Sequence, residues 1–184
     1  KKEGILSLVY GLYQKTVETL IEQEISLLGE IYAAWIDFKI PKEIYANYID
    51  FKTEKHQTTQ REITILSLLK RALLELEINV KERLLMLLKL LYSQDNIQAA
   101  AFNLRSESAV NLARGLEILE HTVNLPSKSV LVNIFDQRSP EEKLEHIVSK
   151  GMAEYQQMLL SDRTCRLISQ GNLLSDWCLA CCFH

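Results

Sequence analysis

Residues 80–135 read VKERLLMLLKLLYSQDNIQAAAFNLRSESAVNLARGLEILEHTVNLPSKSVLVNIF, and their pattern decides the fold class. Strongly apolar segments alternate with short polar breaks, as in two consecutive helix pairs. In residues 81–92, Leu84, Leu85, Leu87, Leu88 and Leu91 form a stripe that Met86 and Leu90 widen almost all the way round, so this helix is expected to be buried on most sides. Ser93, Gln94 and Asp95 interrupt the run, and Asp95 is placed to cap the next helix. In that helix Ala99, Ala100 and Ala101 offer a small face onto which another backbone can close, and it should end near Arg105. Ser106 or Ser108 then caps a helix over 109–121, with Val110, Ala113, Leu116 or Ile118, and Leu119 turned inward. Leu125, Pro126 and Ser127 stop and restart the chain, and Val130, Leu131, Ile134 and Phe135 line a short partner helix.

Helix pairs of about 25–30 residues joined by short turns suit a solenoid, because one pair cannot bury its own apolar face and must stack on a neighbour. The blocks ERLLMLLKLLY (82–92), QDNIQAAAFNLRSES (94–108) and GLEILEHTVNLPSK (115–128) resemble the HEAT-like repeats of bacterial proteins. The resemblance is to the phycobilisome lyase HEAT-like family and to HEAT domains attached to ATP/ADP-translocase-like membrane proteins. The ending Ser175, Asp176, Trp177, Cys178, Leu179, Ala180, Cys181, Cys182 resembles the start of a further HEAT helix, where an acid precedes a tryptophan and small and apolar residues alternate. The likeness covers about half the chain and rests on apolar pattern, so it bears on fold more than on chemistry. It implies an all-α chain containing an α-α superhelix of the HEAT/armadillo solenoid type. The expected order is long N-terminal helices over 1–78, packed as a single unit on repeats over 79–184, the last one truncated. The expected form is a right-handed stack of about eight to ten helices.

Composition agrees with one helical domain. The chain has 184 residues, 47% hydrophobic and 24% charged, with only three prolines and six glycines. A net charge of −3 leaves no basic footprint, which argues against nucleic acid as a main ligand. No apolar run reaches the roughly 18–20 residues needed to span a bilayer, so no membrane span is expected within this segment. The opening KKEGILSLVYGLY has lysines before an apolar stretch but no small-residue cleavage site, and is read as an amphipathic helix. Both ends are expected to be boundaries within a longer chain, since there is no initiator methionine and the C-terminus falls inside an apparent helix.

From the start, residues 4–38 read as one long helix or two collinear ones. Ile5, Leu8, Val9, Leu12, Val17, Leu20, Ile21, Leu28, Ile31, Tyr32 and Trp35 keep one stripe, and Lys15, Glu18, Glu22 and Glu30 take other faces. Gly11 and Gly29 each weaken that helix by about 1 kcal/mol relative to alanine. Ile40 and Pro41 should end it, and 42–51 resumes helix with Ile44, Tyr45, Tyr48 and Ile49 inward. The polar stretch 52–61 is either an exposed turn or the solvated part of a longer helix, the turn being favoured because Thr58 and Thr59 are weak helix formers. Ile63, Leu66, Leu69 or Lys70, Leu73 and Leu76 carry the next stripe, and Asn79 is expected to break it. Ser139 as cap, Pro140 at the first position and Glu141 and Glu142 in the first turn form a strong helix start, with Leu144, Ile147 and Val148 inward, and Gly151 ends it or allows a close turn. Residues 152–160 and 162–169 are expected as two short helical pieces. A turn at 170–172 follows, and then a last helix capped by Ser175 or Asp176.

Few residues could carry chemistry. Cys178, Cys181, Cys182 and His184 crowd the C-terminus, but one continuous helix aims only two or three ligands at an ion, so the thiols read as helix packing. Cys165 stands apart. With no regular cysteine framework, a reducing, cytoplasmic compartment is expected. His56, His121 and His146 are scattered, with no serine, cysteine or acid placed by a motif to work with them. Glu18, Glu22 and Glu24 read as a solvated face, and Trp35, Tyr32, Tyr45 and Tyr48 as core packing around Pro41. No phosphate loop, dinucleotide, zinc-protease or nucleophile-elbow motif is present.

No residue is therefore assigned a catalytic, cofactor-binding or metal-binding role, and no cofactor is expected. The leading expectation is a non-catalytic scaffold whose stacked helices hold a protein partner. A close variant, implied by the transporter-linked relatives, is the cytoplasmic regulatory part of a larger membrane-transporter-like protein. The alternative implied by the lyase relatives is an enzyme or chaperone that handles a bilin chromophore.

Overall fold

Every regular element among the described residues of the computed structural model, which are 2–38, 56–171 and 176–183, is an α-helix. Two helices of 36 residues, α1 (Lys2–Asp37) and α2 (His56–Leu91), form the spine. Shorter helices follow: α3 (Gln94–Leu104), α4 (Ala109–Thr122), α5 (Lys128–Phe135), α6 (Pro140–Ser149), α7 (Leu160–Ser169) and α8 (Asp176–Phe183). On α1, Glu24 bonds Arg83, Tyr32 bonds Glu77, and Tyr13 reaches the Leu90 carbonyl. Rising numbers on α1 thus meet falling numbers on α2, and the two run antiparallel. Ile21, Ile25, Leu28 and Tyr32 face Leu73, Leu76, Val80, Leu84 and Leu88 across the core that both helices share. Each fully buried aliphatic side chain contributes about 1.5–3 kcal/mol over leaving it in water.

The remaining helices wrap this pair. α3 packs on α4, α4 on α5 and α5 on α6, and then α6 and α7 return to α1 while α8 lies against α2 and α7. The consecutive packing follows from very short connections, but the return of α6 and of the segment after it to α1 joins residues more than 100 apart in sequence, as in Tyr155 of that segment on Asp37. Two glycines make close approaches possible. A Cβ on Gly115 would lie 3.0 Å from both the backbone nitrogen and the Cγ of Leu104, which is how α4 nestles against the buried Ala100 and Ala101 of α3. A Cβ on Gly29 would lie 2.8 Å from that of Ala153.

Several local expectations hold. α1 is one unbroken helix, α3 ends with Arg105 as its cap, and Val130, Leu131 and Ile134 are buried on α5. The start of α6 is a full capping box, with Ser139 accepting from the Glu142 amide and Glu142 accepting from the Ser139 amide. Its end is a Schellman motif: Gly151, at φ +69°, donates to Val148, and Met152 donates to Ile147.

Others are corrected. Asn79 does not break α2, because it sits exposed while Leu76, Val80 and Leu84 keep the buried stripe continuous, and asparagine in a helix costs only about 0.7 kcal/mol. Residues 56–61 belong to α2 instead of a turn, since extending a formed helix adds a hydrogen bond for each residue fixed. Met86 and Leu90 are exposed, so 81–92 is not buried on most sides. Among the described side chains of the α1 stripe, burial begins at Val17: α2 ends opposite Tyr13, which leaves Val9 and Leu12 exposed, and Leu20 is exposed as well. On α4 the inner face is Leu112, Gly115 and Leu119, with Val110 and Ala113 outside, because the close approach at Gly115 sets the rotation of the helix. The cap of α3 is Ser93, and Asp95 lies in its first turn. Residues 153–159 are not helical. Expectations for 39–55, including Pro41, Tyr45 and Tyr48, for Ser175 and His184, and for the side chains of Ile5, Leu8, His56, Ile63, Leu66, Trp177, Cys178 and Cys181 fall outside the described residues.

Candidate functional site

Glu30 and Asp37 are seven residues apart on α1, about two helical turns, and so share a face. Arg163 and Arg166, three apart on α7, meet them. Arg163 donates through Nε to Asp37 Oδ2 at 2.7 Å, through Nη1 to Glu30 Oε2 at 3.2 Å, and through Nη2 to the Gln156 carbonyl at 2.9 Å. Arg166 makes a forked bond to Glu30, with Nη2 at 2.7 Å from Oε1. The Tyr155 hydroxyl donates to Asp37 Oδ1 at 3.0 Å, and the Arg163 guanidinium lies 5.8 Å from the Tyr155 ring centre. The side chains of Arg163 and Asp37 are 1% and 0% exposed.

Two acids and two bases balance here, which offsets a desolvation cost of several kcal/mol for each buried ion. Burial and the bond to Asp37 push the Tyr155 phenol up, and the bonds to Glu30 push Arg166 up. Mechanically, this network pins the irregular segment 152–159 against α1. Sequence reasoning missed it and had placed Glu30 on an outer face, where the structure buries it. The signal that could have found it was a pair of acids two turns apart in an otherwise apolar run.

A second cluster lies between α1, α2 and α6. Tyr32 donates to Glu77 at 3.1 Å, Lys81 pairs with Glu77 at 2.6 Å, and the buried Lys143 ammonium sits 5.7 Å from the Tyr32 ring centre. Burial, reinforced by the neighbouring Lys81 charge, pushes Lys143 down to about 8. Burial and Glu77 push the Tyr32 phenol far above its ordinary value. The cluster joins three helices, through Tyr32 on α1, Glu77 and Lys81 on α2 and Lys143 on α6.

The exposed concavity beside α6 is of another kind. Ile36, Leu144, Val148 and Tyr155 line a hollow of about 450 Å³, with Glu141, Glu145 and Ser149 at its margin. It adjoins a second hollow of about 510 Å³ lined by Val148, Gly151, Ala153, Glu154, Tyr155, Gln156 and Arg166. Val148 and Tyr155 belong to both, so the two form one furrow running along the C-terminal half of α6 and the segment after it. Its far wall is the segment that the Asp37–Arg163 network holds in place.

The residues weighed from sequence do not converge on this furrow. Cys165 is exposed and Cys182 is buried. Among the described residues no three of His, Cys, Asp and Glu come together as ion ligands. His121 is exposed in the last turn of α4. The Nε2 atom of His146 and the indole nitrogen of Trp35 are buried without a partner among the described residues. Glu24 pairs with Arg83, Glu18 accepts from Gln14, and Glu22 is exposed. Among the described residues no helix is long and apolar enough to cross a membrane. Comparison with protein-family models, curated proteins and solved structures gives no match to this chain.

Proposed function

We propose that this chain is a non-catalytic helical scaffold that holds a protein partner, with its later helices forming a HEAT-like superhelical stack. The observation that carries the reading is the furrow beside α6, an open apolar concavity whose floor is built from side chains on α1 and α6. Apolar concavities with a polar margin are where helical proteins take partner segments. The consecutive packing of α3, α4, α5 and α6 supports the stack over that stretch. The return of α6 to α1 adds a contact that a nearest-neighbour array lacks.

The test is capture of partners from source cells with the wild-type chain and with Val148→Gln, whose half-buried side chain lines both hollows. A protein held stoichiometrically by the first and lost from the second, at equal melting temperature, supports the reading. Retention of the same proteins by both variants counts against it. The variant in which the chain regulates a membrane transporter is tested by washing source membranes with alkaline carbonate: only a segment of an integral membrane protein stays behind.

A further inference from the structure

We infer that the furrow takes a short extended stretch of a partner protein in which apolar side chains are flanked by lysine or arginine. This rests on the scaffold reading and names the chemistry of the partner. The floor selects apolar side chains, since Ile36, Leu144, Val148 and Tyr155 line it with almost no polar surface. The margin selects charge. Glu145, lining the first hollow, and Glu154, lining the second, are both exposed. Among the lining residues the base is Arg166, and its guanidinium is already committed to Glu30. The field at the furrow is therefore negative, and a cation on the ligand relieves it.

The backbone selects an extended form. Ala153, Glu154, Tyr155 and Gln156 form one wall, and none of their backbone N–H groups donates to an acceptor among the described residues. Outside any helix, and held by the bonds of Tyr155 and Arg163 to Asp37, these donors stand ready for the carbonyls of an added chain. A wall fixed before binding lowers the ordering cost of association.

The test uses the whole chain and two labelled peptides, each alternating leucine and threonine, one ending in arginines and the other in glutamates. Fluorescence anisotropy should show the basic peptide binding about 10-fold tighter than its acidic twin, a difference of about 1.4 kcal/mol. Glu145→Lys combined with Glu154→Gln should abolish that preference without changing the melting temperature, because both side chains are exposed and no new cation is set against Arg166. Hydrogen exchange at the amides of 153–156 should slow when the basic peptide is bound. Equal binding of both peptides, or an unchanged preference in the double variant, overturns the charge assignment while the scaffold reading stands. Binding without slowed exchange overturns the extended form. Binding of neither peptide by a chain that sediments as a dimer, dissociated by Glu145→Lys, shows that a second copy fills the furrow and overturns the inference.

Discussion

Arg163→Met should be the most informative single change in this protein. The substituted side chain keeps the volume of the buried stem and removes bonds to Asp37, Glu30 and Gln156. Glu30 retains Arg166, and among the described residues Asp37 retains only the Tyr155 hydroxyl while its own side chain is 0% exposed. An uncompensated buried carboxylate of this kind costs about 3–5 kcal/mol. Domain stability is about 5–15 kcal/mol, so the loss is a large fraction of the whole. For a chain of this size, about 2–4 °C of melting temperature accompanies each kcal/mol, which makes the expected fall roughly 6–20 °C. Thermal unfolding followed by circular dichroism at neutral pH measures it. Adding Asp37→Leu to Arg163→Met should recover about half or more of the loss, since it removes the stranded charge. A melting temperature within about 2 °C of wild type for Arg163→Met would refute the claim that this network pins 152–159 to α1.

Lys143 makes stability depend on pH with a definite sign. Its folded value lies near 8 against 10.5 unfolded, so between these the unfolded chain binds more protons and stability rises with pH, by up to about 3 kcal/mol. Urea unfolding at pH 7.5, 8.5 and 9.5 should show this rise, and Lys143→Met should flatten it while raising stability at neutral pH. Gly115→Ala should destabilise by about 1–2 kcal/mol despite the better helix propensity of alanine, because the new methyl meets the backbone of Leu104; a more stable variant would sink the close-approach argument. Leu88→Asp should abolish folding, whereas Leu116→Asp, at a half-buried position, should give a folded but weakened protein in the same circular dichroism scan.

How legible these features were in the sequence follows from their range. The cap at Ser139 and the stop at Gly151 needed only residues within one turn of each other, and both stand as read, the structure adding the reciprocal bond to Glu142. The small face on α3 was visible in Ala100 and Ala101, although Ala99, read with them, is exposed, and its partner Gly115 was not visible, because nothing local says which glycine approaches which helix. The furrow had no sequence signature at all. Its residues come from α1, α6, the segment after α6 and α7, and they meet only once α6 has returned to α1.

By itself the sequence determined that the chain is helical and where most helices start and stop, because caps, glycines and apolar periodicity act over a few residues. The tertiary structure alone decided three things. It left 153–159 unwound although that stretch is rich in good helix formers, since contact with Gly29 and bonds to Asp37 outweigh a propensity of a few tenths of a kcal/mol per residue. It turned Glu30 and Asp37 inward, where arginines more than 120 residues away complete them. And it rotated α4 so that a glycine, rather than Val110, faces the core. In each case the deciding energy lies between residues distant in the chain, and a local pattern carries no record of it.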